Sequence, residues 1–205
     1  MYITDKIYCF DSPKYAHAFL LPQENTLIDC GLPWEGKGIV EEMQEIGYDP
    51  LCLEHIVLTH TDIDHCGGLK KTTSSCPNAT LWLGQDDVQY LLHAGFRRGL
   101  KGVVLDVFGP KLPKSYRVLE SWTHSDVQAI HTPGHSEGHF AFKYDRCLFI
   151  GDIYKNNNDK LTSAKKNADN NVLAKTREYI KSIDCDCVIP SHGEVMGVPW
   201  RTYKK

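Results

Sequence analysis

The sequence predicts an α/β protein, because short apolar strands alternate with amphipathic helices through both halves and glycine-bearing turns join them. In the first half, residues 6–10, 16–21 and 26–29 are rich in apolar and β-branched residues and are expected as strands. Gly31-Leu32-Pro33 breaks that run. A helix is expected over 38–46, with Ile39, Met43 and Ile46 on one face and Gly47 closing it. Residues 55–59 read as a buried strand and 69–75 as a helix entered through Gly67-Gly68. A strand over 80–83 and a helix over 86–92 follow. In the second half, 127–130, 140–144 and 147–150 read as strands and 156–158 as a polar loop. Residues 170–183 form the long helix, striped by Val172, Leu173, Thr176, Tyr179, Ile180 and Ile183. Residues 188–190 are the last strand. The stretch 95–117 is different, mixing Gly, Pro, Lys and Arg with scattered aromatics. It reads either as a lid offering Phe96 and Phe108 to a substrate or as a connector between two halves.

A chain of 205 residues suits one domain spanning 1–205, long enough to bury a substantial core. With 41% hydrophobic and 24% charged residues, the composition is that of a globular protein. The formal net charge of −3 and the lack of a basic tract make nucleic acid a poor partner. The N-terminus has no cationic start followed by an apolar run, and no apolar segment reaches membrane-spanning length. The expectation is a cytoplasmic protein without a membrane partner. The eight cysteines lie scattered through apolar stretches, so reduced and mostly buried thiols are expected rather than a disulfide framework. Cys185-Asp186-Cys187 is their only close pairing, read as ordinary strand-entry residues in preference to a metal or redox motif.

The chemistry concentrates in His60-Thr61-Asp62-Ile63-Asp64-His65. Imidazole and carboxylate are natural ligands for borderline divalent metals, and four such side chains fall within six positions here. If the segment is extended, residues 60, 62 and 64 share a face while His65 points elsewhere, so one short stretch serves two neighbouring metals. Further candidates stand in glycine-bearing turns after expected strands: His135, Asp152 and His192. There is no G-x-S-x-G elbow, phosphate-binding G-x-x-x-x-G-K-[ST] loop or dinucleotide G-x-G-x-x-G.

The run Thr59 to Gly68 resembles the H-x-H-x-D-H signature of the metallo-β-lactamase superfamily. Thr132-Pro133-Gly134-His135, Gly151-Asp152 and Ser191-His192-Gly193 resemble its later landmarks in the same order. The resemblance implies a four-layer αβ/βα sandwich with two divalent ions, zinc first among them, at one edge. It assigns His60 and His135 to the first metal, Asp64, His65 and His192 to the second, and Asp152 to a bridge. It also implies hydrolysis of a small-molecule ester, thioester or lactone by a metal-activated hydroxide, with Asp64 or Asp152 orienting the nucleophile or shuttling its proton. An antibiotic-hydrolysing role is disfavoured, since such enzymes are usually exported.

Asp62 departs from the signature, where most members carry a second histidine. As a ligand it gives the site three anionic groups and shifts preference toward iron or manganese; a glutamate there is familiar in the di-iron flavodiiron proteins. Turned away, it would leave the first site weakened. Asp62 therefore keeps open an iron redox reading, handling dioxygen, nitric oxide or a persulfide. A non-enzymatic metal-binding accessory role is the third reading. His139 is a candidate ligand-orienting or substrate-touching residue and Tyr154 a candidate oxyanion donor. His17, His55, His93, His124 and His131 carry no spacing argument and are expected to be structural or exposed.

Overall fold

The computed structural model describes residues 1–92, 113, 115–124, 126–163 and 167–194, with the backbone of 198–199. The first half supplies β1 (Tyr2–Thr4), β2 (Ile7–Cys9), β3 (Phe19–Leu21), β4 (Thr26–Ile28), β5 (His55–Val57), β6 (Thr80–Leu83) and β7 (Tyr116–Val118). These form one sheet in chain order, antiparallel from β1 to β4 and parallel from β4 to β7. The second half supplies β8 (Val127–His131), β9 (Phe140–Tyr144), β10 (Cys147–Gly151), β11 (Lys155–Asn157), β12 (Lys160–Thr162), β13 (Cys187–Pro190) and β14 (Val198–Pro199). Its sheet runs β14-β13-β10-β9-β8, with β10 and β13 parallel, while β11 and β12 pair separately. The described helices are α1 (Gly36–Glu45), α2 (Ile63–Cys66), α3 (Leu69–Ser75), α4 (Gln85–Leu92) and α5 (Asn170–Lys181).

Strand alternation builds the layers. On β4, β5 and β6, Leu27, Ile56 and Leu81 face one way, into a cluster with Ile39 and Met43 of α1, Leu69 of α3 and Val88 of α4. Their neighbours Ile28, Val57 and Trp82 face the other way and meet Phe140, Phe142, Phe149 and Ile189 of the second sheet. On that sheet Leu148, Ile150 and Val188 point outward onto Leu173 and Ile180 of α5. Strands covered on both faces read as continuous apolar runs, which is why these segments stand out in the sequence. The order is helix, sheet, sheet, helix, the expected αβ/βα sandwich. Ile39 and Met43 are both fully buried, which contributes roughly 1.5–3 kcal/mol each. The start of α5 is set by Asp169, whose carboxylate accepts from Asn171 and Val172 amides.

Three sequence expectations change. Residues 156–158 are not a loop: Lys155–Asn157 pairs with Lys160–Thr162 across a turn in which Asn158 and Asp159 both take positive φ (51° and 57°). That is the type I′ geometry that tight hairpins prefer, and Asn and Asp tolerate it. Residues 60–64 are not extended throughout, because α2 begins at Ile63. The stretch 95–117 ends as strand β7, and its earlier part, with Phe96 and Phe108, lies outside the described residues.

Candidate metal centre

Parallel strands leave their C-terminal ends on one edge, and loops there gather side chains from distant parts of the chain. β5 leads to His60, Asp62, Asp64 and His65, β10 to Asp152, and β13 to His192. The turn after β8 brings His135. Three overlapping groups result: His60 with Asp62 and His135, His60 with His65 and Asp152, and Asp64 with His65 and His192.

Distances within them suit shared cations. Two atoms each about 2.1 Å from one tetrahedral ion stand about 3.4 Å apart. Asp62 Oδ2 lies 3.7 Å from His60 Nε2 and 3.5 Å from His135 Nε2. Asp64 Oδ2 lies 3.4 Å from His192 Nε2 and 3.9 Å from His65 Nε2. Asp152 divides its oxygens: Oδ2 is 3.5 Å from His135 Nε2, while Oδ1 is 3.4 Å from His65 Nε2 and 3.1 Å from His192 Nε2. His60 Nε2, His65 Nε2 and Asp152 Oδ1 are buried without a hydrogen bond. Such atoms are costly unless a cation or proton serves them. The donor set therefore fits divalent metal.

Each histidine is also held from behind. His65 Nδ1 is 2.9 Å from Asp29 Oδ2 and His192 Nδ1 donates to the Tyr15 carbonyl at 2.8 Å. His60 Nδ1 lies 3.1 Å from Thr59 Oγ1, and His135 Nδ1 lies 3.2 Å from Asn167 Oδ1. With Nδ1 engaged, the Nε2 lone pairs turn inward, the arrangement expected of metal-ligating histidines.

The charges reinforce one another. Burial alone would raise the Asp152 carboxyl, but His192 and His65 outweigh it and hold it well below the usual carboxylate range. Burial works against a charged His65, yet Asp29 and Asp152 hold that imidazole well above its ordinary value. His135 is raised despite burial by Asp62 and Asp152, whereas burial and the nearby His65 push His60 down.

The tight turn at 63–66 arises because the Asp62 carbonyl accepts from the amides of His65 and Cys66. Asp62 itself stays extended (φ −67°, ψ 148°), so the period-two reading holds from His60 to Asp62 and fails at Asp64. Asp64 nonetheless reaches the second group from inside the helical turn.

The two remaining candidates are placed differently, His139 beneath Asp152 and Tyr154 against α5. His139 is fully buried beneath the cluster, with Nδ1 2.8 Å from Thr132 Oγ1 and Nε2 accepting from the Asp152 amide at 3.3 Å. Burial, then the neighbouring His60 and His135, keep it well below its ordinary value, so it is a neutral support for the Asp152 turn. The close approach requires Gly151, at φ +51°, where any Cβ would meet His139 Nε2 at 2.4 Å. Tyr154 packs against the α5 layer with its ring 4.6 Å under the Arg177 guanidinium.

The sequence matches the family profile described as the metallo-beta-lactamase superfamily over residues 13–192. The chain belongs to the metallo-β-lactamase superfamily. Its relatives include an uncharacterized protein, YobT, of Bacillus subtilis, 31% identical over 68% of this chain and 62% of its own length. A hydroxyacylglutathione hydrolase of Shewanella loihica is 26% identical over 58% of this chain and 40% of its own length. The N-acyl homoserine lactonase AttM of Agrobacterium fabrum is 25% identical, over 55% and 45% respectively. This chain thus matches only 40–62% of the length of these curated relatives. Among solved structures, a motif mutant of a Cronobacter sakazakii metallo-β-lactamase superposes with a TM-score of 0.72 at 17% identity, covering 94% of this chain and 79% of the other. A superfamily protein from the archaeon Sulfolobus tokodaii gives 0.70 at 18% identity, covering 97% and 83%.

Sequence reasoning missed three supports of this superfamily site. Asp29, at the end of β4, accepts from the Thr59 amide (2.8 Å) and hydroxyl (2.7 Å) and engages His65. His17 places Nε2 2.8 Å from the Gly193 carbonyl, steadying the turn that carries His192. Asp87, fully buried at the start of α4, accepts from the Thr61 amide and hydroxyl, the Ser136 hydroxyl and the Gly138 amide at 3.0–3.3 Å. One carboxylate thereby ties the loop of His60 and Asp62 to the turn of His135. Position was the usable signal for two of them: Asp29 and Asp87 follow β4 and β6, the strands that flank β5, whereas His17 precedes β3. Asp87→Ala strands those donors in a dry site, at about 1–3 kcal/mol for each one left unpaired. A loss of about 3 kcal/mol or more in urea unfolding is expected, with weaker metal retention; Asp87→Asn should lose less.

Proposed function

We propose that the chain is a binuclear metal-dependent hydrolase acting on a small ester, thioester or lactone. The observation that carries this reading is Asp152, whose oxygens face two separate groups of imidazoles. His60, Asp62, His135 and Asp152 Oδ2 would hold one divalent cation, and Asp64, His65, His192 and Asp152 Oδ1 the other. Bound there, such ions supply Lewis acidity and a water that ionises near neutral pH. Asp152 has both oxygens committed to the two groups. Asp64 is the more exposed carboxylate, 16% against 8% for Asp152, so it is the better placed to orient a nucleophile and accept its proton. His139 keeps Asp152 in register from below. The relatives named for hydroxyacylglutathione hydrolysis and homoserine-lactone hydrolysis support the substrate class.

Zinc is the metal we assign, with a cytoplasmic setting consistent with the mostly buried, unbridged thiols. Asp62 favours a second reading, an iron redox centre, because its oxygen joins His60 and His135 rather than turning away. Assay of the purified protein against thioesters and lactones, before and after chelation, tests the first reading. Chelator-sensitive hydrolysis supports it; iron content with a visible spectrum and no turnover supports the second. Asp62→His is expected to shift metal preference toward zinc, read by competitive dialysis of zinc against iron(II). An unchanged preference would remove Asp62 from the ligand set.

A further inference from the structure

Away from the metal edge, the structure brings two thiols into contact. Cys147 opens β10 and Cys187 opens β13, and the two are registered partners on adjacent parallel strands. Their sulfurs are 3.0 Å apart. Neighbouring strands place partner Cα atoms about 4.8 Å apart, inside the roughly 4.4–6.8 Å window of disulfides. A disulfide bond is about 2.0 Å long, so each sulfur has about half an ångström to travel.

Both side chains face the layer between the sheets. Cys185, nearest in sequence, is buried in the opposite layer under α5, so the fold itself selects the pair. The two thiols differ in access, Cys147 being buried and Cys187 half-buried. They also differ in chemistry. Burial pushes the Cys9 thiol to about 12 and the Cys76 thiol to about 11. The hydrogen bond the two thiols share lowers Cys187 and raises Cys147, and burial adds to the rise of Cys147.

We propose that Cys147 and Cys187 form a reversible dithiol–disulfide couple, a modification site separate from the metal centre, with a hydroperoxide as oxidant. The half-buried Cys187 thiolate attacks one peroxide oxygen, breaking the O–O bond and giving a sulfenic acid and hydroxide. The Cys147 sulfur then attacks the sulfenic sulfur; the S–S bond forms and the departing hydroxyl leaves as water with the Cys147 proton. Hydroxide from the first step takes up the proton released when Cys187 ionised. With hydrogen peroxide the sum is two thiols oxidised, one O–O bond reduced and two waters formed. A small-molecule dithiol reverses it by exchange.

The test is hydrogen peroxide titration of the full chain, followed by thiol alkylation, intact mass measurement and peptide mapping. Expected are a loss of about two mass units before alkylation, about two fewer alkylated thiols, and a peptide cross-linked through 147 and 187 that dithiothreitol releases. Cys147→Ser should stop at a sulfenic acid on Cys187 that dimedone captures, and Cys185→Ser should match the unaltered protein. A cross-link through Cys185, over-oxidation of Cys187 without any cross-link, or inertness at peroxide levels that oxidise a control peptide thiol would each overturn the proposal. The map of the unaltered protein is decisive on its own if a variant misfolds.

Discussion

Replacing Asp152 with alanine is expected to lower kcat/KM by about a thousandfold or more, roughly 4 kcal/mol of transition-state stabilisation. Bound metal should fall at the same time. Asp152 is the residue whose oxygens face both groups of imidazoles, at 3.1–3.5 Å from His65, His135 and His192. Alanine leaves those rings without their common anion. Asp152→Asn separates shape from charge, since it keeps the volume and removes the anion. Steady-state kinetics with elemental analysis of the same samples give the result. Full metal content with a rate within tenfold of the unaltered protein would show that Asp152 is not the bridge.

The second large effect is expected at Asp29. Its carboxylate is 1% exposed and is fixed to Thr59 and His65 by bonds of 2.7–2.9 Å. Removing one partner of a buried, hydrogen-bonded charge pair costs about 3–5 kcal/mol. The backbone adds to this, since Asp29 sits at φ +60°, a left-handed conformation that alanine adopts less readily than Asp or Asn. Asp29→Ala should therefore unfold at markedly lower urea. Where it folds, its metal affinity should fall about 10–100-fold, the usual consequence of losing the partner of a ligating histidine. Asp29→Asn keeps the backbone tolerance and an acceptor for the Thr59 amide, so it should fall between. A stability change below about 1 kcal/mol with unaltered metal affinity would contradict the role.

These two residues show what the sequence made legible. Asp152 announced itself, because Gly151-Asp152 follows an apolar run and stands in order with His60, His135 and His192. Asp29 gave no such signal. It looks like the polar end of a strand, and its importance comes from β4 lying beside β5 in a parallel sheet. Asp87 and His17 were hidden for the same reason, since their partners lie 26 to 51 and 176 residues away along the chain. The strands buried on both faces were easy to place, because their apolar runs are continuous. β1 was not, for it is an edge strand with an exposed first residue and no buried one. The hairpin at 155–162 shows in the sequence only as a polar loop over 156–158, because its polar residues carry little strand propensity and its turn depends on two consecutive left-handed residues. Period two along an extended chain sets Asp64 on the face of His60 and Asp62, and the helical turn that starts at Ile63 changes that. Asp64 belongs with His65 and His192 because a helical turn carries it there, not because an extended strand does.

In the proposed hydrolase this edge would hold two cations side by side, with Asp152 serving both. Elemental analysis of the purified protein, with calorimetric titration of the chelated form, measures that directly. The expected result is about two equivalents per chain in the unaltered protein, falling to about one when His192 is replaced by alanine and to none under excess chelator. A folded protein that binds one equivalent or none, before and after reconstitution, would contradict it.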